Sequence, residues 1–134
     1  MTLHDILKPK SEEEIQKNVD KMFLNLDPYT LGNILISPHC NFYKFKYIIE
    51  HHLFDPNFQD GYLFHTMCLH GALTKVDLLL QNEKLDPSLV NNRSIKIAYA
   101  MNSRGIVDML LKNKKVTKKL TRKEIKNFRS PIIY

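Results

Sequence analysis

Glycine is scarce in this chain: four residues in 134, so a glycine-rich loop able to cradle phosphate has nothing to be built from. Cysteine is scarcer still. Cys40 and Cys68 have no partners at framework spacing, and they read as reduced thiols of a cytosolic protein. No apolar run approaches the roughly 18 residues needed to cross a bilayer. The start, Met1 to Lys10, lacks the long apolar core of a signal peptide. Acid is nearly missing from one stretch: between Lys112 and Arg129 there are nine basic residues and a single acid, Glu124. The rest of the chain carries eleven basic and thirteen acidic residues, so the net charge of +6 belongs to one end and not to the whole surface.

What remains is ordinary globular composition, 43% hydrophobic and 25% charged. The length suits one domain, by a prior of about 100–200 residues each. Its strongest signal is a period of 31 residues. Phe45, Val76 and Val107 share a column, as do Ile48, Leu79 and Leu110, and again Ile49, Leu80 and Leu111. Ten residues past the first column stand Asp55-Pro56 and Asp86-Pro87, with Thr117-Lys118 in the third copy. A period in the range of roughly 20–50 residues marks a solenoid, in which each copy buries its apolar face only against its neighbours.

The spacing predicts an all-α solenoid of about three copies between helical caps. An N-terminal cap over 1–30 opens on the capping box Ser11-Glu12-Glu13-Glu14 and continues with the stripe Ile15, Val19, Met22, Phe23 and Leu26. Asp27-Pro28 closes it and opens the next unit, since proline suits a first helical turn and disfavours helix in the residue before it. The copies follow at 31–58, 59–89 and 90–120, each as two short helices. In the second, Asp60-Gly61 is a turn, Leu63, Phe64, Met67 and Cys68 form an apolar face, and His70-Gly71 turns into the helix around Lys75–Leu80. The third substitutes Asn91-Asn92 for the first turn, Ile95, Ala98 and Tyr99 for the face, and Asn102 for the second turn, asparagine being tolerant of left-handed backbone. The first copy is looser, with Ile36 and Ser37 on its first helix and Cys40 at the turn. A C-terminal cap over 121–134 starts with the box Thr121-Arg122-Lys123-Glu124, uses Ile125 and Phe128, and stops at Ser130-Pro131. The tail Ile132-Ile133-Tyr134 is apolar, fit to dock on the last copy or to meet a partner.

With these residues in place the chain resembles the ankyrin repeats. Tyr62-Leu63-Phe64-His65 stands where the family has Thr-Pro-Leu-His, and Met67-Cys68 and Ala98-Tyr99 stand for the small pair of that helix. Gly71 is the turn glycine, and Val76…Leu79-Leu80 and Val107…Leu110-Leu111 match the second helix. The Asp-Pro ends and a period of 31 instead of 33 are similar to the divergent ankyrin-like repeats common in large DNA viruses and phages. The likeness covers 31 to about 120. The Thr-Pro pair is missing, which implies short turns in place of long β-hairpin fingers. It further implies a scaffold without chemistry of its own that holds a protein partner, such as a virus-encoded adaptor or an inhibitor of a host protein in the host cytoplasm. Tyr29, Tyr62, Leu69, Asn91, Asn92 and Arg93, at turn tips or on first helices, are the expected contacts, Tyr and Arg being good interface anchors.

Other chemistries find less footing. His65-x-x-Cys68-x-His70 with Cys40 offers zinc ligands but not the paired spacing of structural sites, and His65 and Cys68 fit packing roles better. His51-His52 sits at a helix end, where imidazole meets free carbonyls. Ser37, Ser88, Ser94, Ser103 and the two cysteines have no acid–base arrangement beside them, so no catalytic site and no cofactor is expected. The basic patch Lys114, Lys115, Lys118, Lys119, Arg122 and Lys123 suits a solvated cap or an acidic protein. Phosphates are the alternative, making the chain a nucleic-acid-associated protein, although Phe128 alone is aromatic there.

Overall fold

The architecture is that of a computed structural model, which describes residues 17–18, 21–23 and 26–131. Among these the chain is all helical, with no strand. Its helices are α1 (Pro28–Ile36), α2 (Phe42–Glu50), α3 (Phe58–Leu69), α4 (Leu73–Leu80), α5 (Leu89–Ala100), α6 (Arg104–Leu111), α7 (Lys114–Thr117) and α8 (Arg122–Arg129). Two rows result. α3 packs against α1 and α5, while α4 packs against α2 and α6; α3–α4 and α5–α6 are hairpins. α7 and α8 both lean on α6.

Local chemistry sets the starts. Asp27 caps α1 by accepting from the Thr30 amide and hydroxyl, both at 2.9 Å, and Pro28 follows inside the first turn. Asn41 caps α2 through the Lys44 amide at 2.9 Å. The expected box at Thr121 is complete: its hydroxyl accepts from the Glu124 amide, and the Glu124 carboxylate accepts from the Thr121 amide.

α3 and α5 begin unusually. Gln59, Asp60 and Gly61 all have positive φ (51°, 57° and 77°), and so do Val90, Asn91 and Asn92 (56°, 54° and 57°). Each run is one left-handed turn, closed by Gly61 N–H to Asn57 C=O at 3.1 Å and by Asn92 N–H to Ser88 C=O at 2.9 Å. Left-handed backbone costs an L-residue roughly 1–2 kcal/mol, so two three-residue runs need packing to hold them. The right-handed parts of α3 and α5 then start at Tyr62 and Arg93.

The first two aliphatic columns are fully buried in all three copies: Phe45, Val76 and Val107, and Ile48, Leu79 and Leu110. In the third column Ile49 is buried, while Leu80 and Leu111 are half-buried. Leu63, Phe64, Met67 and Cys68 of α3 and Ile95 and Ala98 of α5 complete the interior, with Tyr99 packed at its edge. At about 1.5–3 kcal/mol for each fully buried side chain of this size, these positions dominate stability. The connections between these helices are short turns, with no strand among the described residues.

Three expectations need correction. Ser37 is not on a helix; α1 ends at Ile36, and Ser37 takes extended backbone as its C-cap. α1 also starts at Pro28 and therefore straddles the expected boundary at 30/31. Met22, assigned to the apolar stripe, is 56% exposed, whereas Phe23 is buried and Leu26 half-buried. Ser11–Glu14, Ile15, Val19 and Ile132–Tyr134 lie outside the described residues. The short helix α7 had no periodic signal; Asn113 nucleates it by accepting from the Lys115 amide.

Candidate partner-binding surface

Tyr62, Thr66 and Leu69 occupy one stripe of α3, spaced i, i+4 and i+7. Arg93, Ile97 and Ala100 repeat it one period later on α5, the helix packed alongside. Tyr62 is 50% and Leu69 46% exposed, and Arg93 and Ala100 are also exposed. The opposite face of the same helices is core, so these side chains are left over after the interior is filled. Thr66, Ile97 and Ala100 were missed by sequence reasoning. The period itself was the signal, because each stands 31 residues from, or one helical turn beside, a chosen residue.

The other expected contacts divide. Tyr29, on α1, is 61% exposed and meets Phe58 edge-on with ring centroids 5.1 Å apart. Asn91 is exposed at the left-handed turn. Asn92 is the exception: it is 2% exposed, and its Nδ2 donates to the Val116 carbonyl at 3.2 Å. It ties the turn that opens the third copy to α7 near its end and is no partner contact, because the left-handed turn aims residue 92 inward. Its Oδ1 has no partner.

Beneath this surface His65 ties α3 to α5. A carbonyl can only accept, so Nε2 carries the proton and donates to Asp60 C=O at 2.9 Å, and Nδ1 accepts from the Ser94 hydroxyl. Burial holds the His65 imidazole below its ordinary value, against the opposing pull of the Asp60 carbonyl. Neither nitrogen is left for a metal or a substrate. Cys68, beside Ser94, is pushed up to about 12 by burial, and burial also raises Cys40, so both stay protonated thiols and poor nucleophiles. His70 is exposed, facing away from this interior. Among the described residues, no group of three or more His, Cys, Asp or Glu is placed to hold a metal ion. His51 caps α2 and stacks on Tyr47 at 4.1 Å between centroids.

Some cations are committed to the backbone. Lys75 Nζ donates to Cys40 C=O at 2.8 Å, and Arg104 donates to Phe128 C=O at 2.7 Å. Of the basic patch, Lys115 Nζ donates to the carbonyls of Glu83 at 2.8 Å and Leu85 at 3.0 Å. Lys119 stands 3.9 Å from Asp86. Burial raises the Asp86 carboxyl, but hydrogen bonds from Ser88, with Lys119 and Lys115 nearby, bring it net below its ordinary value. Lys114, Lys118, Arg122 and Lys123 are exposed, with no side-chain bond among the described residues. No helix of the described residues is long and apolar enough to cross a membrane. Comparisons of the chain with protein-family models, with curated proteins and with solved structures give no match.

Proposed function

We propose that the chain is a non-catalytic protein-interaction module, a short solenoid of divergent ankyrin-like repeats that holds a protein partner on the outer stripes of α3 and α5. The observation that carries this reading is the half-exposed pair Tyr62 and Leu69 on a helix whose other face is fully packed. Rigid, partly desolvated aromatic, aliphatic and Arg side chains on a fixed scaffold are what hot spots are made from. The 31-residue recurrence of turns, columns and hydrogen bonds supports the solenoid part of the reading. Support for a non-catalytic role comes from His65 and Ser94, which are buried and bonded to each other, and from Cys40 and Cys68, whose thiols burial keeps protonated. A cytoplasmic adaptor or inhibitor of a host protein fits that picture.

Nucleic-acid binding through the basic end has less in its favour. Phe128, the aromatic of that stretch, is half-buried and edge-on to Tyr99, with centroids 5.3 Å apart, so it offers no stacking platform. The test is quantitative capture from host lysate with wild type and with Tyr62→Ala plus Arg93→Ala. A partner of this surface drops by tenfold or more, as loss of about 2 kcal/mol at a hot spot requires. Capture that is indifferent to the pair would end the assignment.

A further inference from the structure

Because α1, α3 and α5 lie side by side, the turns that lead from them into α2, α4 and α6 line up along one edge of the molecule. Neighbouring turns touch. Lys75 Nζ donates to Cys40 C=O at 2.8 Å, Ser103 lies against Gly71, and Leu73 lies against Gly105. Arg104 and Tyr99 carry the row on to the end of α8, through the carbonyls of Phe128 and Ser130. The cavities between copies open at the other edge: about 500 Å³ beside Gln81–Lys84, about 320 Å³ beside Asn113–Lys115, and about 250 Å³ between Lys84–Ser88 and Lys115–Lys119.

Two properties set the edge of turns apart. Its apolar side chains reach solvent: Tyr43 is 82% exposed, Leu69 46%, Leu73 48% and Met101 54%. Single exposed hydrophobic residues are ordinary on a protein surface, but these are half of the eight large ones exposed among the described residues, and they fall in one row. The second property is the lack of acid. Residues 36–46, 67–76, 98–107 and 125–131 hold six basic residues (Lys44, Lys46, Lys75, Arg104, Lys126 and Arg129) and no Asp or Glu. Acids sit at the other ends of the helices, as Asp27, Glu50, Asp60 and Glu83 do, or along α4 and α6, as Asp77 and Asp108 do. Lys46 and Arg104 meet one of these a turn further on, 3.9 Å from Glu50 and 3.1 Å from Asp108. Lys44, Lys126 and Arg129 have no carboxylate partner among the described residues.

We propose that this edge rests on an anionic membrane surface, with Tyr43, Leu73 and Met101 entering the interfacial layer and Lys44, Lys126 and Arg129 lying among the lipid headgroups. Separate apolar tips set between cations, with the cavities on the far side, favour a bilayer over a protein. A protein anchor is held by a facing pocket, whereas acyl chains close around any side chain that projects into them. Tyrosine, with an apolar ring and a polar end, suits that boundary. Attraction of the cations to anionic headgroups acts in the same direction, and no acid on the edge opposes it. The chain lies on the bilayer; none of its described helices is long and apolar enough to span one. This surface goes beyond the α3–α5 stripes and shares only Leu69 and Ala100 with them, so neither is changed in the test.

The probe is a vesicle of phosphatidylcholine and phosphatidylserine, and the readout is flotation of the whole chain. The chain floats with these vesicles, not with phosphatidylcholine alone, and detaches as salt rises through the physiological range. Leu73→Ser plus Met101→Ser lowers the partition coefficient about tenfold, near the worth of two half-exposed apolar side chains. Lys44→Glu plus Arg129→Glu lowers it by about tenfold or more. Lys118→Glu plus Lys119→Glu, an equal change in net charge at the other edge, has little effect. The chain has no Trp, so an indole placed by Met101→Trp reports alone: its emission moves to the blue on vesicles, while that of Tyr62→Trp, at the start of α3, stays. Far-UV circular dichroism and thermal melts confirm that each variant is folded. Tyr62→Ala plus Arg93→Ala, which tests the stripes, leaves flotation unchanged, so the two readings fail separately. Flotation that ignores the Leu73/Met101 pair, or that follows the Lys118/Lys119 reversal, overturns the proposal, as does a chain that stays in solution at low salt. A serine pair that leaves flotation alone but strips a protein captured from lysate assigns the edge to a protein partner instead.

Discussion

Between residues 59–89 and 90–120 the turns repeat several of their main-chain bonds while the side chains change. Ala72 N–H donates to Met67 C=O, and Ser103 N–H to Ala98 C=O. Gly71 N–H reaches Cys68 C=O, and Asn102 N–H reaches Tyr99 C=O. Asp55 and Asp86 each accept from the amide two residues on, and Asn82 and Asn113 do the same. The left-handed turn is Gln-Asp-Gly in one copy and Val-Asn-Asn in the other. Even the joints are made by different residues. From the first copy Asn57 spans the gap to the second, donating to Lys84 C=O at 2.6 Å and accepting from the Asp86 amide at 2.7 Å. Its equivalent, Ser88, is shorter and bonds Asp86 instead, and the corresponding gap is bridged by Lys115, which reaches back to the carbonyls of Glu83 and Leu85. The shared geometry is thus set by where hydrocarbon is buried and where turns reverse, and several side chains can satisfy each requirement.

The largest test of this equivalence is in the core. Leu79→Ala and Leu110→Ala each remove a fully buried side chain from one column, and each is expected to cost about 2–5 kcal/mol in urea unfolding. A cost under about 1 kcal/mol at one of them would show that the copies do not share one interior.

The turns come next. Gly61→Ala puts a methyl at φ +77°, where the nearest atom, Leu89 Cδ1, is at an ordinary 3.4 Å, so the loss of about 1–2 kcal/mol is backbone strain alone. Asn92→Gly relieves the same backbone and the unpartnered Oδ1 but gives up the Val116 bond, and its net effect stays within about 1 kcal/mol. Val90→Asn has the opposite sign: a β-branched residue at φ 56° is replaced by one that tolerates it, raising stability by roughly 0.5–1 kcal/mol. The equivalent Gln59 leaves less to gain.

The smallest expected effect separates the copies by pH. His65 has Lys96 as its counterpart, so the second copy alone carries a buried imidazole. The folded protein binds that proton more weakly than the unfolded chain does. Stability is therefore whole above the unfolded value of about 6.5 and declines as pH falls through it toward the depressed folded one. The Asp60 and Arg93 charges face the ring, with Arg93 adding to the depression. The melting temperature should drop between neutral and mildly acid pH in wild type, and less in His65→Gln. Asp27, Asp86 and Glu124 are shifted down as well, but their contributions vanish only below about pH 4.

The helices other than α7, their order and two of three aliphatic columns were legible because burial and period coincide at those positions. The capping residues Asp27 and Thr121 were legible because their chemistry is local. Asn92 was misread for a different reason: an asparagine at a turn says that φ is positive, not which way the side chain points. Lys115 was counted with the free cations because nothing in a run of lysines reveals that carbonyls 30 and 32 residues upstream lie within its reach. The cavity between Lys84–Ser88 and Lys115–Lys119 is invisible in sequence, since its rim joins a loop to α7 and the turn after it, a full period on.

Most links between copies, and from the third copy to the C-terminal cap, end on main-chain atoms: Lys75 on residue 40, Lys115 on 83 and 85, Asn57 on 84 and 86, Arg104 on 128, whereas His65–Ser94 and Lys119–Asp86 join side chains. A bond addressed to a peptide group makes no demand on the identity of the residue that supplies it. Half of each such joint is therefore free to mutate without breaking the joint. The acceptor positions can drift, or be recruited to new recognition, while the neighbouring units stay in register.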